Sequence, residues 1–184
     1  MATIPPVCDF GWAAPDFTLP ATSGENISLS KIRGQNGTLV MFICNHCPYV
    51  MGILNRIIAT SKDLLDLKIG IVAINANDVT RYPQDSPENM RILAKERNFP
   101  FPYLFDEDQK IARAYKAACT PDFFGFNTKL ELQYRGRLDA SQKESAPKGQ
   151  RSDLYEAMRE ISLTGKGPKE QIQSIGCSIK WKTE

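Results

Sequence analysis

An apolar run that ends at a pair of cysteines constrains the fold of this chain more than any other segment. Residues 38–43 read Thr-Leu-Val-Met-Phe-Ile, and residues 44–47 read Cys-Asn-His-Cys. A continuous apolar run of this length is typical of a strand that is covered on both faces. A helical pattern begins at Pro48, so the cysteines lie where a strand passes into a helix. Unpaired N–H groups at a helix start stabilise a thiolate, the reactive form of cysteine, and this placement therefore indicates thiol–disulfide chemistry.

The remainder of the chain alternates between apolar segments and segments of helical spacing. We predict strands at 38–43, 69–74 and 101–105, helices at 48–65, from 86, at 106–118 and at 153–163, paired strands at 123–127 and 130–138, and a polar loop at 139–151. Alternation of strands and helices in the first part of the chain implies parallel strands joined by right-handed crossovers. The hairpin later in the chain implies an antiparallel edge of the sheet. The sequence therefore predicts a three-layer α/β fold in which helices flank a mixed central sheet.

The length of the chain fits one domain. At 184 residues and 20.6 kDa the protein can bury a core of its own. We predict a single domain over residues 1–184, with a C-terminal tail over residues 165–184. A net charge of +2 gives no reason to expect nucleic acid or an anionic membrane as a partner. No apolar stretch approaches the roughly 20 residues that are needed to span a bilayer.

The cysteine content and the N-terminus indicate a reducing compartment. Residues 1–8 lack the basic start and the long apolar stretch of a signal peptide, which favours a cytoplasmic protein. Five cysteines are an odd number and do not suggest a secreted scaffold held by disulfides. In a reducing compartment a close cysteine pair is more often catalytic or metal-binding than structural.

The two clustered cysteines are predicted to have complementary roles in thiol–disulfide exchange. We expect Cys44 to be the more exposed residue and the nucleophile, because it is nearer the start of the helix. Cys47 would then release the mixed disulfide. The opposing interpretation is half of a zinc site, which is disfavoured because the other cysteines are scattered along the chain. We therefore predict no metal and no cofactor.

Asn45 and His46 lie between the cysteines and are candidates for tuning the thiols. His46 is the only histidine of the chain. A protonated imidazole beside a thiolate lowers the thiol pKa and stabilises the reduced form. The alternative interpretation of His46 is an exposed polar residue at a helix start.

Two other cysteines are candidates for additional redox thiols. Cys119 stands just before the Thr-Pro pair at 120–121, where it would be either a third thiol near the pair or a small buried residue. Cys177 follows a glycine in the tail. It would either reach a reactive thiol or belong to a tail that simply docks through its apolar residues.

Several segments resemble thioredoxin-fold proteins of the alkyl hydroperoxide reductase/thiol-specific antioxidant (AhpC/TSA) family. The resemblance lies in Ala-Pro-Asp-Phe-Thr-Leu at 14–19, Gly24, Ile-Ser-Leu at 27–29, Gly34, Thr-Pro at 120–121 and the tail Gly-Cys-Ser-Ile-Lys-Trp at 176–181. The tail is similar to that of a peroxiredoxin-like subgroup that carries a Cys-x-x-Cys. The resemblance implies a thioredoxin-like fold with an N-terminal extension. It also implies a cis bond before Pro121, with the backbone of Thr120 presented to an extended substrate segment.

The chain departs from the peroxiredoxin pattern at three positions. Peroxiredoxins place a proline seven residues, and a threonine three residues, before the peroxidatic cysteine, and an arginine near the Thr-Pro region. If Cys47 takes the peroxidatic role, these positions hold Val40, Cys44 and Cys119. The residues that bind peroxide in that family are therefore missing, although Cys47 remains.

Three functions follow from the sequence. The leading prediction is a cytoplasmic thiol–disulfide oxidoreductase that acts on protein or small-molecule disulfides and thiols through Cys44 and Cys47. The second is a thiol-dependent peroxidase in which Cys47 reduces hydroperoxides and Cys44 or Cys177 resolves. The third is a non-enzymatic thiol sensor or a metal-binding module that uses the same cysteines. The sequence makes no prediction of the oligomeric state.

Overall fold

Ten strands are present in the computed structural model, which describes residues 1–141 and 151–183. In chain order they are β1 (Ala2–Thr3), β2 (Thr18–Pro20), β3 (Asn26–Ser28), β4 (Thr38–Phe42), β5 (Gly70–Asn75), β6 (Tyr103–Phe105), β7 (Cys119–Thr120), β8 (Asp122–Phe126), β9 (Leu132–Tyr134) and β10 (Gly176–Ser178). Six helices alternate with the strands over the described ranges: α1 (Leu29–Ile32), α2 (Pro48–Met51), α3 (Leu54–Asp66), α4 (Pro87–Glu96), α5 (Lys110–Ala114) and α6 (Asp153–Thr164).

The central sheet has five strands in the order β6-β5-β4-β8-β9. Strands β4, β5 and β6 are parallel, whereas β8 and β9 are each antiparallel to their neighbours. The predicted mixed sheet with an antiparallel edge is therefore confirmed. Strand β4 lies in the middle of the sheet, and its chain leaves the sheet directly before the cysteine pair.

Strand β4 is apolar throughout because the sheet is covered on both faces. Leu39 and Met41 pack in one hydrophobic cluster, together with side chains of α3 and α6. Val40 and Phe42 point to the other face and pack in a second cluster that includes Tyr115. Every residue of the strand is buried. This arrangement confirms the three-layer architecture that the alternation of strands and helices predicted.

Two predicted helices differ from those observed. The helix predicted at 48–65 is divided between α2 and α3, because Ile53 has a non-helical backbone. The helix predicted at 106–118 is reduced to α5. The left-handed residues Gln109 and Lys116 lie just before and just after it. The loop predicted at 139–151 lies largely outside the described residues.

A small second sheet joins the two ends of the chain. Strand β10 lies between β1 and β7 and is antiparallel to both. No local pattern in the sequence predicted these short strands. Within the described ranges, none of the helices has the length and apolarity required to cross a membrane.

Candidate active site

The cysteine pair lies where the central strand β4 passes into helix α2. Cys47 is the residue that precedes the helix, and Pro48 takes the first helical position, where no N–H is needed. Cys44 lies three residues earlier, in the non-helical segment that connects the strand to the helix. The helix start is therefore at Cys47, and the prediction that it lies nearer Cys44 is wrong.

Thr120 contacts both sulfurs of the pair from the opposite side of the site. Its hydroxyl oxygen lies 3.2 Å from Cys44 Sγ, and in the thiol form Cys47 donates to its carbonyl oxygen over 3.2 Å. The bond between Thr120 and Pro121 is cis, as the resemblance implied. The structure therefore brings together four residues that the sequence singled out, from positions more than 70 residues apart.

Both thiols of the pair are buried. Cys44 is 1% exposed and Cys47 is fully buried, so the prediction that Cys44 would be exposed is wrong. The C-terminal tail contributes to the cover, because β10 pairs with β7 and places Cys177 opposite Thr120. The backbone edge that we expected to meet a substrate segment is paired with the chain's own tail in this structure.

The two thiols of the pair share a proton unequally. A hydrogen bond from Cys44, and further ones from Cys177 and the backbone N–H of Val50, lower the pKa of Cys47 to about 4. The pKa of Cys44 is raised well above its usual value by the hydrogen bond to Cys47, by burial and by the charge of Asp85. The geometry therefore favours Cys47 as the thiolate and Cys44 as the thiol that donates to it.

Asn45 and His46 are held by Asp85, a buried carboxylate that sequence reasoning missed. The backbone N–H of Asn45 donates to Asp85 Oδ1 over 2.7 Å, and His46 Nδ1 lies 2.7 Å from Asp85 Oδ2. The His46 ring stacks on Tyr82, and Tyr103 donates to the Asn45 side chain. A direct effect of His46 on the thiols remains a prediction. Asp85 lies in an ordinary polar stretch just before α4, which gave no signal of this role.

The other two candidate thiols have different surroundings. Cys119 is buried, its sulfur donates to the Pro121 carbonyl, and burial raises its pKa. These contacts favour the interpretation of Cys119 as a small buried residue. Cys177 is partly exposed and hydrogen-bonds to Cys47 through both its side chain and its backbone. The structure therefore brings Cys177, rather than Cys119, to the pair.

The site also offers a set of metal-ligand atoms. One ligand atom each from Cys44, His46 and Asp85 lies within 4.8 Å of the other two. Sulfur, imidazole nitrogen and carboxylate oxygen are all ligands of zinc. Of the three, Asp85 already has internal partners, since it accepts from the backbone N–H of Asn45 and from the side chain of Asn77.

The family of the chain follows from comparison with known proteins. A model of the AhpC/TSA family matches residues 10–137, a range that contains the cysteine pair and the cis-proline. The chain belongs to the AhpC/TSA family. A Mycobacterium tuberculosis protein described as a candidate peroxiredoxin is 25% identical over 117 residues, which cover 62% of this chain and 68% of that protein.

Solved structures match the whole fold. An uncharacterised conserved protein from Geobacillus kaustophilus is 40% identical with a TM-score of 0.91, and the match covers 100% of this chain and 98% of that one. The thioredoxin domain of a thiol-disulfide oxidoreductase from Bacteroides vulgatus is 15% identical with a TM-score of 0.63, covering 83% and 97% of the two chains. The fold of this AhpC/TSA protein is therefore thioredoxin-like, as predicted.

Proposed function

We propose that this AhpC/TSA protein is a thiol–disulfide oxidoreductase that cycles Cys44 and Cys47 between a dithiol and a disulfide. The observation that carries the proposal is that both sulfurs contact Thr120 over 3.2 Å, Cys44 at its hydroxyl oxygen and Cys47 at its carbonyl oxygen. In the reaction the two thiols lose two electrons and two protons and form one S–S bond. A partner disulfide takes up both and becomes two thiols.

The two cysteines have distinct charge states in this proposal. Cys47 is the thiolate because four donors surround its sulfur: the S–H of Cys44, the S–H and N–H of Cys177, and the N–H of Val50. Cys44 keeps the shared proton, which is the reverse of the assignment expected from the sequence. The Cys44 proton must leave when the S–S bond forms. Before that, the negative charge of buried Asp85 raises the pKa of Cys44 and keeps it protonated.

The partners of this reaction are proposed to be protein or small-molecule disulfides and thiols. Because both sulfurs are buried, a partner either reacts first with a group of the tail or reaches the pair after the tail has moved. The cytoplasmic location favoured by the sequence remains a prediction.

Loss of disulfide reduction in a Cys47→Ser variant tests the proposal. The assay follows reduction of a protein disulfide with dithiothreitol as electron donor. We expect the Cys47→Ser rate to fall to the uncatalysed rate, because the thiolate is gone. Cys8→Ser is the matched control, since Cys8 is a part-exposed thiol outside the site. A Cys47→Ser rate equal to that of the wild type would contradict the proposal.

A peroxidase is the second candidate, because oxidant-reactive cysteines typically have a lowered pKa and a second thiol beside them, as Cys47 does. Val40, Cys44 and Cys119 stand where the peroxide-binding residues of peroxiredoxins would be. We therefore expect slow turnover of hydrogen peroxide with a thiol donor. Rapid turnover of hydrogen peroxide that depends on Cys47 would favour the peroxidase function over the oxidoreductase function.

A metal-binding module is the third candidate, supported by the ligand atoms of Cys44, His46 and Asp85. Metal analysis of protein purified without chelator tests it. One tightly bound zinc or copper per chain that blocks alkylation of Cys44 would favour this candidate over the redox function.

A further inference from the structure

The C-terminal tail holds a third sulfur against the cysteine pair. Strand β10 sets Cys177 opposite Thr120 in an antiparallel register. Gly176 fits there only because it lacks a side chain, since a Cβ would lie 2.2 Å from the Thr120 carbonyl oxygen. Beyond the strand, the backbone N–H of Lys180 donates to the side chain of Asn77 over 2.9 Å. The docked tail therefore holds Cys177 at one position.

The three sulfurs differ in how far solvent reaches them. Cys44 and Cys47 are buried, whereas Cys177 is partly exposed. Cys47 contacts the carbonyl oxygen of Thr120, the residue that Cys177 faces across the strand pair. Cys47 therefore lies between Cys44 and Cys177, and hydrogen bonds from both other thiols lower its pKa. A molecule that approaches the docked tail meets Cys177 before it meets either residue of the pair.

We propose that Cys177 is a third catalytic residue, which exchanges disulfides with the external partner and relays them to the buried pair through Cys47. The inference rests on the proposed function, because it assigns the route by which the Cys44–Cys47 couple is oxidised and reduced. The partner is a thiol in one direction and a disulfide in the other.

The relay begins from the Cys44–Cys47 disulfide. The Cys177 sulfur attacks Cys47 Sγ, the Cys47–Cys177 bond forms, the Cys44–Cys47 bond breaks, and the Cys177 proton passes to Cys44. A partner thiol then attacks Cys177 Sγ and expels Cys47 as a thiolate, and the proton of that thiol passes to solvent. A second partner thiol attacks the mixed disulfide, releases Cys177 as a thiol and leaves the partner as a disulfide. Two partner thiols have then supplied the two electrons that reduce the pair.

The charges in the site favour the second step, in which the partner thiol attacks Cys177. A disulfide is cleaved faster when the expelled sulfur has the lower pKa. Hydrogen bonds lower the pKa of Cys47 to about 4, while burial and the bond to Cys47 raise the pKa of Cys177 to about 11. Cys47 is therefore the better leaving group of the Cys47–Cys177 bond, and attack on the more exposed sulfur is the productive one.

A Cys47→Ser variant tests the relay by trapping the partner, because it removes the sulfur that would release the mixed disulfide. The reduced variant is incubated with oxidised glutathione, its free thiols are alkylated, and its peptides are mapped by mass spectrometry. We expect glutathione on Cys177. Glutathione on Cys44, or on neither cysteine, overturns the relay.

A Cys177→Ser variant supplies a second measurement that does not depend on trapping. Its Cys44–Cys47 disulfide should be reduced by glutathione about tenfold or more slowly than that of the wild type, because the partner loses the accessible sulfur. Cys8→Ser is the control and should be reduced at the wild-type rate. Reduction of Cys177→Ser at the wild-type rate or faster overturns the relay. Failure of the wild type to form the Cys44–Cys47 disulfide would instead contradict the proposed function.

Discussion

The charge state of each sulfur in this site is set by its hydrogen-bond donors. Cys47 has four donors around its sulfur, whereas Cys44 has Thr120 and faces the buried carboxylate of Asp85. When one of the two cysteines is ionised, the remaining proton is therefore on Cys44. Position relative to the helix predicted the opposite, because the sequence does not reveal which groups of distant segments reach each thiol.

Cys47 should ionise at a lower pH than an ordinary cysteine. Because the fold lowers the pKa of Cys47 to about 4, the thiolate is present at neutral pH and is lost as the pH falls through about 4. The measurement is a titration of the ultraviolet thiolate absorbance of the reduced protein. We expect a transition near pH 4 in the wild type and its absence in Cys47→Ser.

Cys119→Ser is the control for this titration, since burial raises the pKa of Cys119 and keeps its thiol protonated. That variant should keep the acid transition of the wild type. A thiolate absorbance that develops only above neutral pH would show that Cys47 ionises like an ordinary cysteine. That result would contradict the assignment of Cys47 as the thiolate.

At the scale of elements, the contact between β10 and β7 determines how the cysteine pair is covered. This contact tolerates no side chain at position 176, because a Cβ would lie 2.2 Å from the Thr120 carbonyl oxygen. We therefore predict that Gly176→Ala displaces the tail. Hydrogen exchange at Gly176–Ser178 and alkylation of Cys47 should become about tenfold faster, which corresponds to a loss of about 1.4 kcal/mol in the local opening free energy.

Ser178→Ala is the matched control for Gly176→Ala, since it changes a side chain of the same strand and leaves the close approach at Gly176 intact. Its exchange and alkylation rates should equal those of the wild type. Equal rates in Gly176→Ala and the wild type would mean that the tail does not limit access to Cys47.

The elements that the sequence predicted are those whose pattern is local. Strands β4, β5 and β6 were predicted because strands covered on both faces are continuously apolar, and the start of α4 was predicted because Ser86 is suited to cap a helix. The pairing of β10 with β7 and β1 joins residues from both ends of the chain. Pairing between segments so far apart leaves no local pattern in the sequence, so the position of this cover over the site could not be predicted.

The candidate site was predictable to a similar extent. The cysteine spacing indicated the pair, and the resemblance indicated the cis bond before Pro121. Asp85 was missed, because a buried carboxylate has the same sequence signature as a surface one. The burial of Cys44 was missed because it depends on segments distant in the sequence, such as the one that carries Thr120.

At the scale of the whole molecule, a buried ion pair joins the edge of the sheet to the site. Arg135 follows β9 and donates to Asp122 Oδ2 over 3.0 Å, and both side chains are almost fully buried. Asp122 follows the cis-proline and also accepts from the N–H of Ala118. The segment that carries Thr120 is therefore fastened to the rest of the sheet by this pair.

We predict that Arg135→Met lowers the free energy of unfolding by about 3–5 kcal/mol, because it leaves the carboxylate of Asp122 buried without its partner. Denaturant unfolding monitored by circular dichroism measures the change. Arg91→Met is the matched control, since Arg91 pairs with Glu88 on the exposed face of α4. Loss of this exposed pair should change the free energy of unfolding little. Equal stability of the two variants would contradict the assigned role of the buried pair.

An equilibrium titration of the wild-type protein in glutathione buffers of graded composition shows whether Cys44 and Cys47 form a reversible redox couple. After acid quenching, free thiols are alkylated and the disulfides are mapped by mass spectrometry. We predict one reversible two-electron transition in which Cys44 and Cys47 pass from free thiols to a disulfide joined to each other. Free thiols at both positions in every buffer, or glutathione on single cysteines with no Cys44–Cys47 bond, would show that the two cysteines are not a redox couple.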